Sequence, residues 1–373
     1  MTKIIAKSDF EKFIIENWID INKYIDLQMK DKEIPLYCSV DIRESKEKFA
    51  PVDNNLYPAG FNNLCNLDLD ESSSFFSKAV GKITPNAKSV GILIESHTKN
   101  TFYLDHLFAL AKSLEGAGLE VTYISLDKKL FGDSNEIHLE SFSKFPIKIK
   151  LARIKDNLML LLDDENHSFD LIILNNDQSA PMSIDWEQIK TPIRPSPLMG
   201  WYARHKISHF ECYDEVLSHF CNQFSIDKNI LQAKFLSINN VDFSSKDGLD
   251  KIGHAVETLL PQLNPEQKVF VKASKGTYGM GIQVISSKEE ILEMNRKKRN
   301  KMDIGKNKIK FTDVLVQEGV ETILTYDSMP AEVTIYLVGG RSVGGFMRAN
   351  TEKNAHENLN SKGMVFKKFC ISE

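Results

Sequence analysis

Residues 269–285, VFVKASKGTYGMGIQVI, decide how this chain is read. Val269-Phe270-Val271 is β-branched and aromatic with no turn former, which predicts a short buried strand. Ser274 to Gly281 supplies glycines and small hydroxyl residues, and Gln283-Val284-Ile285 returns as a second strand. Gly276, Gly279 and Gly281 permit positive φ and bring bare N–H groups close to a ligand. Such a row of N–H groups suits phosphate oxygens, and Lys272 and Lys275 add cations at the same end. The spacing is GxxGxG before an extended element, so it is neither a dinucleotide fingerprint nor a P-loop. A plain three-glycine hairpin is the alternative reading of this stretch alone.

Around that hairpin lies a chain of 373 residues, long enough for two or three domains sharing a cleft. Its 42% hydrophobic and 26% charged content is that of an ordinary globular protein. A net charge of −4 gives no overall attraction to nucleic acid or to an anionic membrane. No apolar run is long enough to span a bilayer, and the N-terminus lacks a signal-peptide pattern. Cys38, Cys65, Cys212, Cys221 and Cys370 are widely spaced and form no CxxC. They indicate neither a disulfide framework nor a zinc site, and point to inert cysteines in a reducing cytoplasm.

Upstream, residues 8–30 carry apolar side chains at helical spacing, and a short strand runs from Pro35 to Val40. The polar stretch 41–63, DIRESKEKFAPVDNNLYPAGFNN, predicts a loop because Pro, Asn and Gly are frequent in it. Arg43 offers a carboxylate a bidentate fork, and Lys48, Asp53, Asn55, Asn62 and Asn63 add charges and amides. This stretch reads either as an amino-acid site or as an exposed loop with turn-capping Asn residues. Strand 89–95, helix 102–117 and strand 120–126 alternate, which predicts a parallel sheet. Two polar clusters end its strands, His97 to Asn100 and Asn175-Asn176-Asp177, where open α/β sheets place ligands. A proline-rich connection at 191–200 marks the boundary between domains 1–195 and 196–373, and Arg204 follows it.

Downstream, 203–235 and 247–261 predict helices, and 288–301 a helix capped by Ser286 or Ser287. Its basic end, Arg296-Lys297-Lys298-Arg299, fits a solvated or phosphate-facing surface better than nucleic-acid binding. Strand 314–317 leads into Glu318-Gly319-Val320-Glu321. Strands 332–338 and 342–348 are joined by Gly339-Gly340, a hairpin turn. A polar loop, 350–363, closes the series.

Lysine strand, glycine hairpin, QEGV hinge, strand pair with an arginine and Asn-rich loop occur in the order that resembles the ATP-grasp ligases. With DIRESKEKFAPVDNNLYPAGFNNLC, LNNDQS, GWYARHKISHF, NRKKRNKM and ENLNSKGM, residues 35–373 resemble the proteobacterial glutamate–cysteine ligase family first known from acidophilic thiobacilli. The resemblance implies an α/β fold: a parallel-sheet, pre-ATP-grasp-like domain, then an α+β ATP-grasp domain. It implies ATP and Mg²⁺ as cofactors, and ligation of glutamate's γ-carboxylate to cysteine through an acyl phosphate. The alternatives are another ATP-grasp carboxylate–amine ligase, or a nucleotide-binding regulator without turnover. By the same resemblance Lys272, Lys275, Gly276, Gly279 and Gly281 serve ATP phosphates, and Gln317, Glu318, Val320 and Glu321 the adenosine. Arg348 and Lys275 are the catalytic candidates. Arg43, Lys48, Asp53, Asn55, Asn62, Asn63, Asn176 and Arg204 are the substrate-binding candidates. The family leads one to expect acidic Mg²⁺ ligands in a segment beyond Glu373. Within the chain Glu357, Asn358 and Asn360 are the late acid–amide cluster, read as metal ligands, phosphate contacts or plain turn residues.

Overall fold

The computed structural model describes residues 3–95, 98–164, 168–178, 181–275, 281–303 and 311–371. In chain order the N-terminal part comprises α1 (Lys7–Met29), β1 (Tyr37–Glu44), β2 (Phe49–Asn55), α2 (Asn66–Ile83), β3 (Ser89–Ile94), α3 (Thr101–Gly116) and β4 (Glu120–Ser125). There follow β5 (Glu136–Glu140), β6 (Pro146–Lys155), β7 (Leu158–Leu161), β8 (Leu171–Asn175), β9 (Ile193–Arg194) and α4 (Lys206–Phe224). Next come β10 (Phe235–Ile238), α5 (Lys246–Leu259), β11 (Val269–Ala273), β12 (Ile282–Ile285), α6 (Lys288–Leu292) and α7 (Arg296–Asp303). Last are β13 (Val314–Glu318), β14 (Thr325–Tyr326), β15 (Met329–Val338), β16 (Arg341–Asn350) and β17 (Met364–Phe369).

Three sheets result. The expected parallel sheet runs β5-β6-β4-β3-β8-β9, with β6, β4, β3, β8 and β9 parallel. Its centre, β3 and β8, is fully apolar at Val90, Ile92, Leu171 and Ile173, as a sheet covered on both faces requires. The glycine hairpin strands β11 and β12 belong to a small antiparallel sheet, β10-β13-β11-β12. The third sheet is antiparallel, β17-β16-β15-β1-β2, with β14 on β15.

That third sheet does not follow the boundary at 191–200. β1 pairs with β15, Asp41 lying opposite Thr334 and Val40 opposite Ile335. Residues 37–55 are thus built into the same sheet as 329–369. Of the polar stretch expected as a loop over 41–63, residues 41–55 are instead the end of β1, a tight connection and all of β2, while 56–63 is loop with one short turn at Phe61–Asn63. Helix α2 packs Phe76 and Val80 into one core with Tyr336 and Phe346 of the antiparallel sheet and Leu104 and Leu107 of α3. The two large sheets therefore share a core.

Local departures have local causes. The helix expected over 203–235 ends at Phe224 because Ser225 adopts a left-handed conformation (φ 56°), and β10 follows. The helix expected over 288–301 is two: Ser287 caps α6, and the Asn295 side chain accepts the Lys298 N–H where α7 begins.

The cysteine reading needs correction. Cys65 and Cys370 form a disulfide (Cα–Cα 5.5 Å) across 305 residues, joining the start of α2 to the end of β17. Asp68 beside it accepts the Ile371 N–H at 3.2 Å. No local spacing announces a pair so far apart. Cys221 is buried, Cys38 half-buried and Cys212 exposed. Cys370→Ser is expected to cost about 2–4 kcal/mol, read by urea denaturation. An unchanged midpoint would mean that packing alone holds β17 to α2.

Candidate active site

β1, β2, β15 and β16 present one face to a cavity of ≈ 1810 Å³. Its opposite wall is made by the C-terminal ends of β3 and β8, with Glu95, Asn175 and Asp177. Period-2 alternation puts Ser39 and Asp41 of β1, Asp53 and Asn55 of β2, Thr334 of β15 and Arg348 of β16 on that wall. Register then joins them. Asp41 lies opposite both Thr334 and Asp53, and Glu332 lies opposite Arg348.

The floor is an ionic chain. Arg348 Nη1 donates to Asp41 Oδ2 at 2.7 Å and Glu332 Oε1 at 2.9 Å, and Arg43 Nε donates to Glu332 Oε2 at 2.8 Å. The Thr334 hydroxyl donates to Asp41 Oδ1 at 2.7 Å. Burial pushes the Asp41 carboxyl up, and Arg348 offsets this only in part. Burial also works against Glu332, but Arg43 and Arg348 hold its carboxyl below the usual range. The two carboxylates overcome the burial of Arg348 and hold it still more firmly protonated. Its Nε–H is buried and has no acceptor among the described residues.

A second cluster joins this floor to the small sheet. Lys272 of β11 donates to Gln317 Oε1 at 2.7 Å and to the Val52 carbonyl at 2.9 Å. Burial, with Lys206 and Arg43 nearby, pulls its ammonium down to about 8 against Asp53 and Glu332. Lys206 donates to Asp53 Oδ1 at 2.5 Å, with its ammonium 4.6 Å from the Trp201 ring centre. Burial opposes ionisation of Asp53, but Lys206 and Lys272 outweigh it and hold its carboxyl low.

The sequence candidates divide accordingly. Arg348, Asp53, Asn55, Asn62, Asn63 and Asn360 line the cavity. Arg43 does not: its guanidinium is spent on Glu332 and on the backbone carbonyls of Val320 and Glu357. Lys48 is likewise diverted, holding both Glu318 carboxylate oxygens at 2.8 Å and fastening β2 to β13. Neither offers its charge to a substrate carboxylate in this arrangement. Arg204 stacks on Trp201 at 5.0 Å and donates to the Asn54 carbonyl. Asn176 serves a local turn, accepting the Gln178 N–H, while its neighbour Asn175 faces the cavity.

At the expected hinge, Gln317 and Glu318 are buried in β13, and the N–H groups of Glu318 and Gly319 go to Lys234 and Lys268 carbonyls. Val320 is buried and gives its carbonyl to Arg43, and Glu321 is exposed, 3.5 Å from His356. Gly281 has φ +68°, and a Cβ there would sit 2.7 Å from that of Ala273, so glycine is required. Lys275 is half-buried at the end of β11. Gly276, Gly279 and His97 lie outside the described residues.

The late acid–amide set does not assemble as a cation site. The Glu357 carboxylate takes the Lys353 ammonium (3.2 Å) and the Asn354 N–H (3.0 Å), which lower its pKa, and Asn358 Oδ1 takes the Asn360 N–H (3.0 Å). These oxygens hold the loop's own shape, and of the set Asn360 alone lines the cavity. Sequence reading passed over Asp41, Glu332, Trp201 and Lys206. The alternation Ser39, Asp41, Arg43 was the signal for β1, masked because its polar face looks like a loop.

A cavity floored by Arg348 between the buried carboxylates of Asp41 and Glu332 is one that can hold charged small molecules. The chain belongs to the glutamate–cysteine ligase family: the model of that family, GshA, matches residues 11–373. It is therefore a ligase that joins glutamate to cysteine. A solved structure from Methylobacillus flagellatus KT, described as a γ-glutamylcysteine synthetase, is similar to it at TM-score 0.88 and 34% identity. That likeness covers 97% of this chain and 86% of the other. D-alanyl-alanine synthetase A from Vibrio cholerae O1 is a remote likeness, at TM-score 0.38 and 14% identity over 75% of this chain and 74% of that one. No curated protein matches the chain. Among the described residues no helix is long and apolar enough to cross a membrane.

Proposed function

We propose that ligation proceeds in the ≈ 1810 Å³ cavity through a γ-glutamyl phosphate. A γ-carboxylate oxygen of glutamate attacks the terminal phosphorus of ATP, and ADP leaves with the bridging oxygen's electron pair. The neutral amine of cysteine then attacks the acyl carbon. A C–N bond forms, phosphate leaves with the former carboxylate oxygen, and an amine proton passes to it. No protein nucleophile is needed, so the work is positioning and charge stabilisation.

The single observation that carries this reading is Arg348. Its buried Nε–H lacks an acceptor among the described residues, while Asp41 and Glu332 hold Nη1 and Asp41 also accepts from Nη2. A preorganised donor of that kind suits the oxygens of the transferring phosphoryl group. Lys272 and Lys275 stand on the β11 side, where the triphosphate would lie. Asn62, Asn63 and Arg204 are assigned to the amino-acid substrates. Asp41, Asp53 and Asn55 do not fit Mg²⁺ as they stand: Arg348 and Thr334 hold both Asp41 oxygens, Lys206 holds Asp53 and the Tyr57 N–H takes the Asn55 oxygen. We assign the reaction to the cytoplasm, where the Cys65–Cys370 bond is open to reduction.

The test is a turnover assay. ATP should be consumed only with glutamate and cysteine together, yielding ADP, phosphate and γ-glutamylcysteine in equal amounts. AMP and pyrophosphate would indicate adenylation and refute the acyl phosphate.

A further inference from the structure

His106 is fully buried on α3, a helix whose Leu104, Leu107 and Leu110 lie in the apolar core, and the chemistry proposed above does not use it. An apolar residue would fill that position without taking a polar ring out of water. Both ring nitrogens are engaged. The Phe61 N–H donates to Nδ1 at 3.1 Å, and because an amide N–H can only donate, Nδ1 is the bare nitrogen and Nε2 carries the proton. Nε2 lies 3.2 Å from Asn175 Oδ1 and donates to it. Burial pulls the ring down to about 4 against that hydrogen bond, so it is neutral at neutral pH. Asn175 carries the connection back to the turn it came from. Its Nδ2 donates to the Pro58 carbonyl at 3.1 Å and to the Tyr37 hydroxyl at 2.7 Å. Its Oδ1 also accepts the Tyr103 hydroxyl at 2.9 Å, so the amide is fully occupied and has nothing left for a substrate.

The turn from Pro58 to Phe61 is thus held at both ends by one relay, His106 at the Phe61 N–H and Asn175 at the Pro58 carbonyl. Between them the Ala59 carbonyl accepts the Tyr336 hydroxyl. The next two residues, Asn62 and Asn63, line the cavity. From this arrangement we infer that His106 is a positioning residue for the amino-acid substrates: acting through the 58–61 turn, it sets where the Asn62 and Asn63 amides stand in the cavity. The inference rests on the assignment of Asn62 and Asn63 to those substrates. Two amides on a free turn would have to be ordered at each binding event, whereas on a clamped turn they are ordered beforehand. The gain is made in the bound ground state and kept in the transition state, so it shows in KM and not in kcat.

The test is steady-state turnover of the full chain with ATP, glutamate and cysteine varied in turn. His106→Phe keeps the bulk and loses both nitrogens. It should raise KM about tenfold for at least one amino acid, the scale of one buried hydrogen bond, and leave kcat and the KM for ATP within about twofold. His106→Gln should recover most of the loss, because its amide again offers one acceptor and one donor side by side. His106→Leu is the second variant should Phe fail to fold, with melting curves checking each. A variant carrying both Asn62→Ala and Asn63→Ala tells the two possible failures apart. If it raises the KM of an amino acid and the His106 variants do not, the assignment of the amides stands and the positioning role is refuted. If it leaves both amino-acid KM values unchanged, the assignment itself is wrong and the inference falls with it. If His106→Phe or His106→Leu weakens ATP and both amino acids alike, or if neither folds, His106 serves the fold alone and the inference is likewise overturned.

Discussion

Arg348→Ala is expected to abolish turnover and to cost about 3–5 kcal/mol of stability, because it strips the counter-ion from two buried carboxylates at once. Asp41 and Glu332 both depend on this guanidinium, and Glu332 keeps only Arg43 when it is gone. The deficit should shrink as pH falls, since protonating the carboxylates removes the uncompensated charge. Arg348→Lys keeps a positive charge but not the fork that spans both acids, so it should recover part of the stability and little of the activity. Urea denaturation and steady-state turnover separate the two effects. A stable Arg348→Ala protein with near-normal turnover would remove Arg348 from both the fold and the chemistry.

Lys272→Met should lower kcat by on the order of 10²–10³, or roughly 3–4 kcal/mol, by analogy with losing one preorganised donor. Stability near pH 7 should not fall, because burying this charge is unfavourable, as its lowered pKa states. The sign of the pH effect follows. The folded protein releases the Lys272 proton near 8, and the unfolded chain near its ordinary value of 10.5. Below 8 both states are charged and the burial cost is borne in full. From 8 to 10.5 the unfolded chain binds more protons, so this residue makes stability rise with pH. Activity runs the other way: kcat/KM for ATP should fall as pH passes about 8, where the cation is lost from the free enzyme. Lys272→Met should show neither trend. If the variant kept the alkaline fall in kcat/KM, another group would be its source.

Much of the fold was legible because its signals are local. The βαβ alternation from Ser89 to Ser125 and the glycine-punctuated strands at 269–285 and 329–350 announce themselves by periodicity and turn residues. What stayed hidden was long-range. Nothing near Asp41 indicates that β1 will pair with β15, some 290 residues on, and nothing near Cys65 points to Cys370. The site was partly legible for the same reason. Arg348 and Lys272 stand on recognisable strands, whereas Asp53 lay in a stretch read as a loop, and Arg43 and Lys48 looked like substrate ligands until Glu332 and Glu318 were brought against them. A charged side chain shows its chemistry in the sequence, but its partner is decided by sheet register. Glu357 and Asn358 illustrate the converse, since the turn their residue types favour uses the very oxygens a metal would need.

The central claim is that glutamate is activated as an acyl phosphate in the cavity above Arg348. It is tested most directly by running the ligation with glutamate carrying ¹⁸O in both γ-carboxylate oxygens and weighing the released phosphate. The account predicts one ¹⁸O in each phosphate, because the oxygen that attacks phosphorus leaves with it when the cysteine amine displaces it. Phosphate without label, formed alongside γ-glutamylcysteine, would contradict it.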